Sequence, residues 1–104
     1  MALDRLKQLQ EFYDEDPADP FNLYALALEY LKHDPQLSAR LFQDLLDKHA
    51  EYLPTYYHAA KLYAELGNSD KASAVFELGI ALATKLNDTK ARRELKSAYD
   101  ELMF

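Results

Sequence analysis

A chain of 104 residues, nearly half of them apolar and only two of them glycine, is expected to form one compact helical domain rather than a fibrous or disordered segment. It has no cysteine, which excludes disulfides and thiolate metal sites, and its net charge of −6 disfavours sequence-independent binding to phosphate backbones. Eleven acids stand against five bases in residues 1–52, while residues 53–104 carry seven of each, so the first half reads as a solvated acidic face or a surface for a basic partner.

The opening MALDRLKQLQEF places charges within its first residues and has no continuous apolar core, so it is not a signal peptide. No later run is apolar enough to span a bilayer, and a cytoplasmic home without membrane partners is expected. Residues 3–14 read as an amphipathic helix, with Leu3, Leu6, Leu9 and Tyr13 on one side and Phe12 beside them. Pro17 and Pro20 punctuate its end. Asp19 is a natural cap for a second helix that opens on Pro20 and runs to about Lys32, its apolar residues nearly encircling it. Such a helix usually packs against two neighbours.

Asp34 and Pro35 start a third helix to about Ala50, with Leu37, Leu41, Leu45, Ser38, Phe42 and Leu46 inward. Arg40, Asp44 and Lys48 form a ladder of opposite charges on its outer face. Pro54 opens a fourth helix, in which Tyr56, Ala59, Ala60 and Tyr63 share a face. Gly67 ends it, and Asn68 or Ser69 caps a fifth that reaches about Leu86. Its inner face is Ala72, Val75, Phe76, Gly79, Ile80 and Ala83. Asn87-Asp88 cap a sixth, in which Ala91, Leu95, Ala98 and Leu102 align. Six helices, no strands and short connections predict antiparallel neighbours.

Shifting the chain by 34 residues superposes Pro20 on Pro54, Ala25 on Ala59, Leu28 on Leu62, Leu41 on Val75 and Phe42 on Phe76. With Tyr56, Ala59, Ala60, Tyr63, Ala72, Phe76 and Gly79 at their spacing, the stretch resembles the tetratricopeptide repeat, W-x2-L-G-x2-Y…A-x3-F…P. Thr84 replaces the closing Pro. The preceding unit is similar, with Leu23, Leu26, Ala27 and Tyr30 in its first helix. Ser38, Phe42 and Leu45 fit its second helix when one residue is missing from the turn at His33-Asp34-Pro35. Pro17 lies where an earlier repeat would close.

The resemblance implies an all-α, right-handed solenoid of antiparallel hairpins forming a single domain over residues 1–104. Its parts are a half-repeat helix at 2–15, repeats at 20–52 and 53–86, and a capping helix at 88–104 that hides the last apolar surface. It also implies a concave groove for a partner peptide or helix, lined by Tyr24, Leu28 and Leu31, then Tyr57, His58, Lys61 and Glu65. Arg92 and Lys96 add positive charge at the far end. Tyrosine suits such recognition, offering a large ring and a hydroxyl at small entropic cost. The carboxylate clamp by which related repeats grip chaperone tails is absent, because Tyr24, Leu28, His58 and Asp88 replace its residues and only Arg92 agrees.

Other chemistry finds little support. His33, His49 and His58 have no partner at metal-ligand spacing, and His33 and His49 sit near helix C-termini, where a cation favours the dipole. No glycine-rich phosphate loop occurs, and no serine has a His and an acid in a recognisable setting. The Gly67 turn lacks the basic second helix of a DNA reader. An interaction module without enzymatic activity, cofactor or nucleic-acid partner is therefore expected. The alternative is self-assembly, as a homodimer or larger, prompted by the apolar Leu102-Met103-Phe104.

Overall fold

The computed structural model describes residues 2–104, with side chains from Asp4 onward, so the expected inward position of Leu3 lies outside the described residues. Among the described residues there are six helices and no strand: α1 (Ala2–Glu15), α2 (Pro20–Tyr30), α3 (Pro35–Lys48), α4 (Pro54–Glu65), α5 (Ser69–Lys85) and α6 (Thr89–Met103). The starts follow from local chemistry. Carboxylates of Asp19, Asp34 and Asp88 accept from the N–H groups of Phe21, Leu37 and Ala91 at 3.0, 3.2 and 3.0 Å. At α5 the cap is Asn68, whose side chain accepts from the Lys71 N–H at 3.2 Å, and Ser69 is the first helical residue.

Two helices end earlier than expected. α2 stops at Tyr30 because the Tyr30 carbonyl takes the N–H groups of both His33 and Asp34, which turns the chain toward Pro35. α3 stops at Lys48. α4 and α5 end on left-handed residues, Gly67 at φ 87° and Asn87 at φ 57°. Asn87 thus closes α5, leaving Asp88 alone to cap α6.

The chain divides into two compact units, the first ending at Tyr52 and the second spanning Leu53–Phe104. In the first, α2 packs on both α1 and α3, as its nearly encircling apolar surface requires. Leu9, Leu23, Leu26, Ala27, Phe42 and Leu45 form its core. Ser38 is fully buried where α3 crosses α2, and its hydroxyl donates to the Ala27 carbonyl at 2.6 Å. Phe12, expected beside the core, is 54% exposed instead. Among the described residues the charges of Arg40, Asp44 and Lys48 form no ion pair with one another, and Gln43 Nε2 donates to Asp47 Oδ1 at 2.9 Å on the same helix.

In the second unit α4, α5 and α6 pack on one another around Tyr56, Ala59, Ala60, Tyr63, Ala72, Val75, Phe76 and Leu95. Ile80 is only half-buried. Gly79 marks the closest approach, since a Cβ there would lie 2.7 Å from Cβ of Tyr56 and 3.3 Å from Leu95 Cδ1. Phe76 stands edge-on to Tyr99, centroids 6.3 Å apart, and the Tyr99 hydroxyl donates to Glu77 Oε1 at 2.9 Å.

Burial decides the register between the first helices of the two repeats. Leu23, Leu26 and Ala27 are buried as Tyr56, Ala59 and Ala60 are, whereas Ala25 and Leu28 are only half-buried where Ala59 and Leu62 are buried. The matches of Pro20, Ala25 and Leu28 at the longer shift therefore align residues of different faces. The missing turn residue accounts for the one-residue change.

Candidate functional site

Thr55, Tyr56, Ala59, Ala60, Leu62 and Tyr63 of α4 are buried, which leaves Tyr57, His58, Lys61 and Glu65 among its less buried side chains. Tyr57 and His58 are half-buried, and Lys61 and Glu65 are exposed. Three of these gather: Lys61 Nζ lies 5.4 Å from the centroid of the Tyr57 ring, and the His58 ring meets that ring edge-on at 5.4 Å and 81°. A cation over an aromatic face is attracted to its quadrupole and holds the ring in place. Glu65 stands apart, at the last turn of α4.

Tyr57 also forms one wall of an open depression of about 320 Å³ against α6, whose other walls are Arg93, Glu94, Ser97, Ala98 and Glu101. Arg92 is not there. It lines a smaller depression of about 150 Å³ with Ala83, Thr84, Asn87, Asp88 and Thr89 at the α5–α6 turn. One residue along a helix is a rotation of about 100°, so Arg93 lines the depression that Tyr57 borders while Arg92 lines the other. The apolar stripe of α6 could have indicated this, because Leu95 is buried and Ala98 half-buried on the side that meets the rest of the unit. Lys96 is tied to Asp100 at 2.7 Å.

In the first unit Tyr24 and Leu28 line a cleft of about 250 Å³ between α1 and α2, together with Arg5, Leu9, Phe21, Ala25, Glu29 and Lys32. Leu31 is half-buried in the turn after α2 and lies outside that lining. Tyr24 meets Tyr52 edge-on, centroids 5.6 Å apart and planes at 65°. Burial raises the Tyr24 hydroxyl above its ordinary pKa, and Tyr52 adds to this; Tyr52 is raised by burial and then by Asp19. Both phenols therefore stay neutral at physiological pH. Phe21 and Leu9, which sequence reasoning left out of the site, belong to the same apolar floor. Phe21 could have been found three residues before Tyr24 on one helical face.

The histidines have structural company. His33 Nε2 is 3.3 Å from the buried carboxylate of Glu29, which Lys32 also approaches at 3.6 Å, and His49 Nδ1 is 4.0 Å from Glu51. Among the described residues no group of three or more His, Asp or Glu side chains is placed to hold a metal ion. No helix among them is long and apolar enough to cross a membrane.

Burial lowers the pKa of His58 below its ordinary 6.5, and the Lys61 ammonium lowers it further. An NMR titration of the imidazole should show a midpoint below 6.5, moving upward in Lys61→Ala. Stability linked to this group is complete above pH 6.5. It falls as pH drops from 6.5 to the lowered folded value, because the unfolded chain takes up the proton first. A midpoint at or above 6.5 would contradict this environment.

Comparison with known proteins gives a consistent set of relatives. The solution structure of a tetratricopeptide repeat domain protein from Salinibacter ruber is 40% identical, the match covering 84% of this chain and 89% of that one, with a TM-score of 0.79. A crystal structure of a tetratricopeptide repeat domain protein from the same organism is 37% identical over 82% of this chain and 97% of that one, TM-score 0.78. The crystal structure of MamA, 18% identical over 98% of this chain and 67% of that one, shares the fold at a TM-score of 0.69. No protein-family model and no curated protein matches the chain.

Proposed function

The chain belongs to the tetratricopeptide repeat family, and from that premise we propose that it is a protein-interaction module, without chemistry of its own, that holds a partner peptide or helix on the outward faces of its first helices. The fold serves in general as a protein-interaction scaffold. The observation that carries the reading is the Tyr57 cluster: a half-exposed ring with Lys61 and His58 against it, opening onto a depression walled by Arg93 and Glu101. A rigid aromatic with charges of both signs beside it can take an apolar side chain and orient the polar groups around it. On the second unit the contacts proposed are Tyr57, His58, Lys61 and Glu65 of α4, with Arg92 of α6 a further cation; on the first unit, taken by itself, they are Tyr24 and Leu28 of α2 and Leu31 just after it.

A random peptide library selected on the chain, followed by calorimetric titration of an enriched peptide, tests this. The double variant Tyr57→Ala with Lys61→Ala should keep its helical circular dichroism and weaken binding by about tenfold to a hundredfold, the range of a truncated aromatic anchor. Unchanged affinity in a folded variant would place the binding surface elsewhere.

A further inference from the structure

From the exposed face of α5 and the order of charges along it, we propose that two copies of the chain associate through this helix, antiparallel and about a two-fold axis. α4 and α6 both pack on α5, whose buried residues are Ala72, Val75, Phe76, Gly79 and Ala83. Asp70, Ala74, Leu78, Ala81 and Lys85 are all exposed, and their three- and four-residue steps set them on one other stripe. Leu78 is 60% exposed, more than any other large apolar side chain within a described helix. One exposed leucine is ordinary. The pattern around it is what selects a partner.

That pattern is complementary to itself when turned end for end. A two-fold axis midway between Glu77 and Leu78 sets Asp70 level with Lys85 of the second copy, and Ala74 level with its Ala81. The same axis repeats both matches at the other end. It also brings the two Leu78 side chains together on one side of the pair. The short alanines let the helix axes approach to about 8 Å. Parallel packing would instead oppose Asp70 to Asp70 and Lys85 to Lys85, so like charges reject it. Antiparallel packing further sets the positive N-terminal end of one helix beside the negative C-terminal end of the other.

The other charges near this face leave the match in place. Among the described residues neither Asp70 nor Lys85 makes an ion pair within the chain. Lys71 is drawn to the Tyr63 ring, its Nζ 4.6 Å from the centroid. Glu77 accepts from the Tyr99 hydroxyl at 2.9 Å, which holds its carboxylate toward α6. Glu65, in the last turn of α4, adds to the acidity of the Asp70 end. At the Lys85 end Asp88 is the side-chain cap of α6, and Lys90 and Arg92 outnumber it in the first turn of that helix.

Both copies use the same surface, so the contact is isologous and closes at two copies. The face is small, which places association at concentrations on the order of 0.1–1 mM. None of its five residues is among the contacts proposed for a peptide, so pairing goes beyond that reading and stands apart from it.

Sedimentation of the full chain over that range, in low-salt buffer to limit screening, is the test. The wild type should double in mass and stop. Leu78→Glu, which sets a carboxylate level with Glu77 of the second copy, should remain monomeric. Asp70→Lys and Lys85→Glu should each weaken association by at least about tenfold, because each opposes like charges at both ends. Their equimolar mixture should dimerise again, since a mixed pair restores opposite charges at both ends. All three positions are exposed, and circular dichroism confirms that each variant is folded. A monomeric wild type, growth beyond two copies, a dimeric Leu78→Glu, or a mixture no stronger than the single variants would each overturn the proposal. A monomeric wild type that still binds a selected peptide through Tyr57 and Lys61 rejects pairing alone. A dimer with no such peptide rejects the peptide reading alone.

Discussion

Phe76→Ala is expected to lower stability by about 3–5 kcal/mol, the range for deleting a fully buried phenylalanine. The ring is 1% exposed and lies where α4, α5 and α6 meet, edge-on to Tyr99. Its removal forfeits the transfer of that surface from water and leaves a cavity that three helices cannot all close upon. Single domains of this size are stable by about 5–15 kcal/mol, so the variant loses a large share of the total. Urea denaturation followed by helical circular dichroism measures it. A loss under 1 kcal/mol would mean that the site collapses freely and that the three-helix core is misassigned.

Gly79→Val is expected to cost about 3 kcal/mol, for the opposite reason. An added Cβ meets the Tyr56 Cβ at 2.7 Å and the Tyr56 Cγ at 3.2 Å, atoms at the base of a side chain that cannot swing away. The helices must then separate, and overpacking of this kind costs about 1–3 kcal/mol. Gly79→Ala is the informative companion. At a helix position with room, that change gains about 1 kcal/mol from backbone propensity; here the clash should outweigh the gain and reverse the sign. A stabilised Gly79→Ala would show that α4 and α5 are not in close contact at this point.

Much of the scaffold was legible because single residues dictate it. Asp19, Asp34 and Asp88 mark helix starts wherever a carboxylate can reach a free N–H two or three residues on, and Gly67 marks an end because it accepts a positive φ. The Ala72, Phe76 and Gly79 spacing revealed the second hairpin and its core face. The register of the first hairpin was ambiguous, since Ala25 and Leu28 pair with Ala59 and Leu62 by residue type, and only burial separates the two alignments.

The site was less legible than the core. The resemblance to the repeat pattern implied Tyr57, His58 and Lys61 on α4, and these three side chains do cluster. Which α6 side chain stands beside them depends on the rotation of a helix whose cations at 92 and 93 are chemically equivalent. Phe12 was misjudged for a related reason. A phenylalanine near a core stripe is apolar whichever way it points, and the packing of α1 leaves it toward solvent.

The most direct measurement is a map of backbone amide shifts as a selected peptide is titrated into the labelled chain. A partner held on the outward face of α4 should move Tyr57, His58, Lys61 and Glu65, with Arg93 and Ser97 across the depression. It should leave the exposed face of α5, at Leu78 and Ala81, unchanged. Shifts confined to Leu78, Ala81 and Lys85, with the Tyr57 cluster silent, would contradict the account.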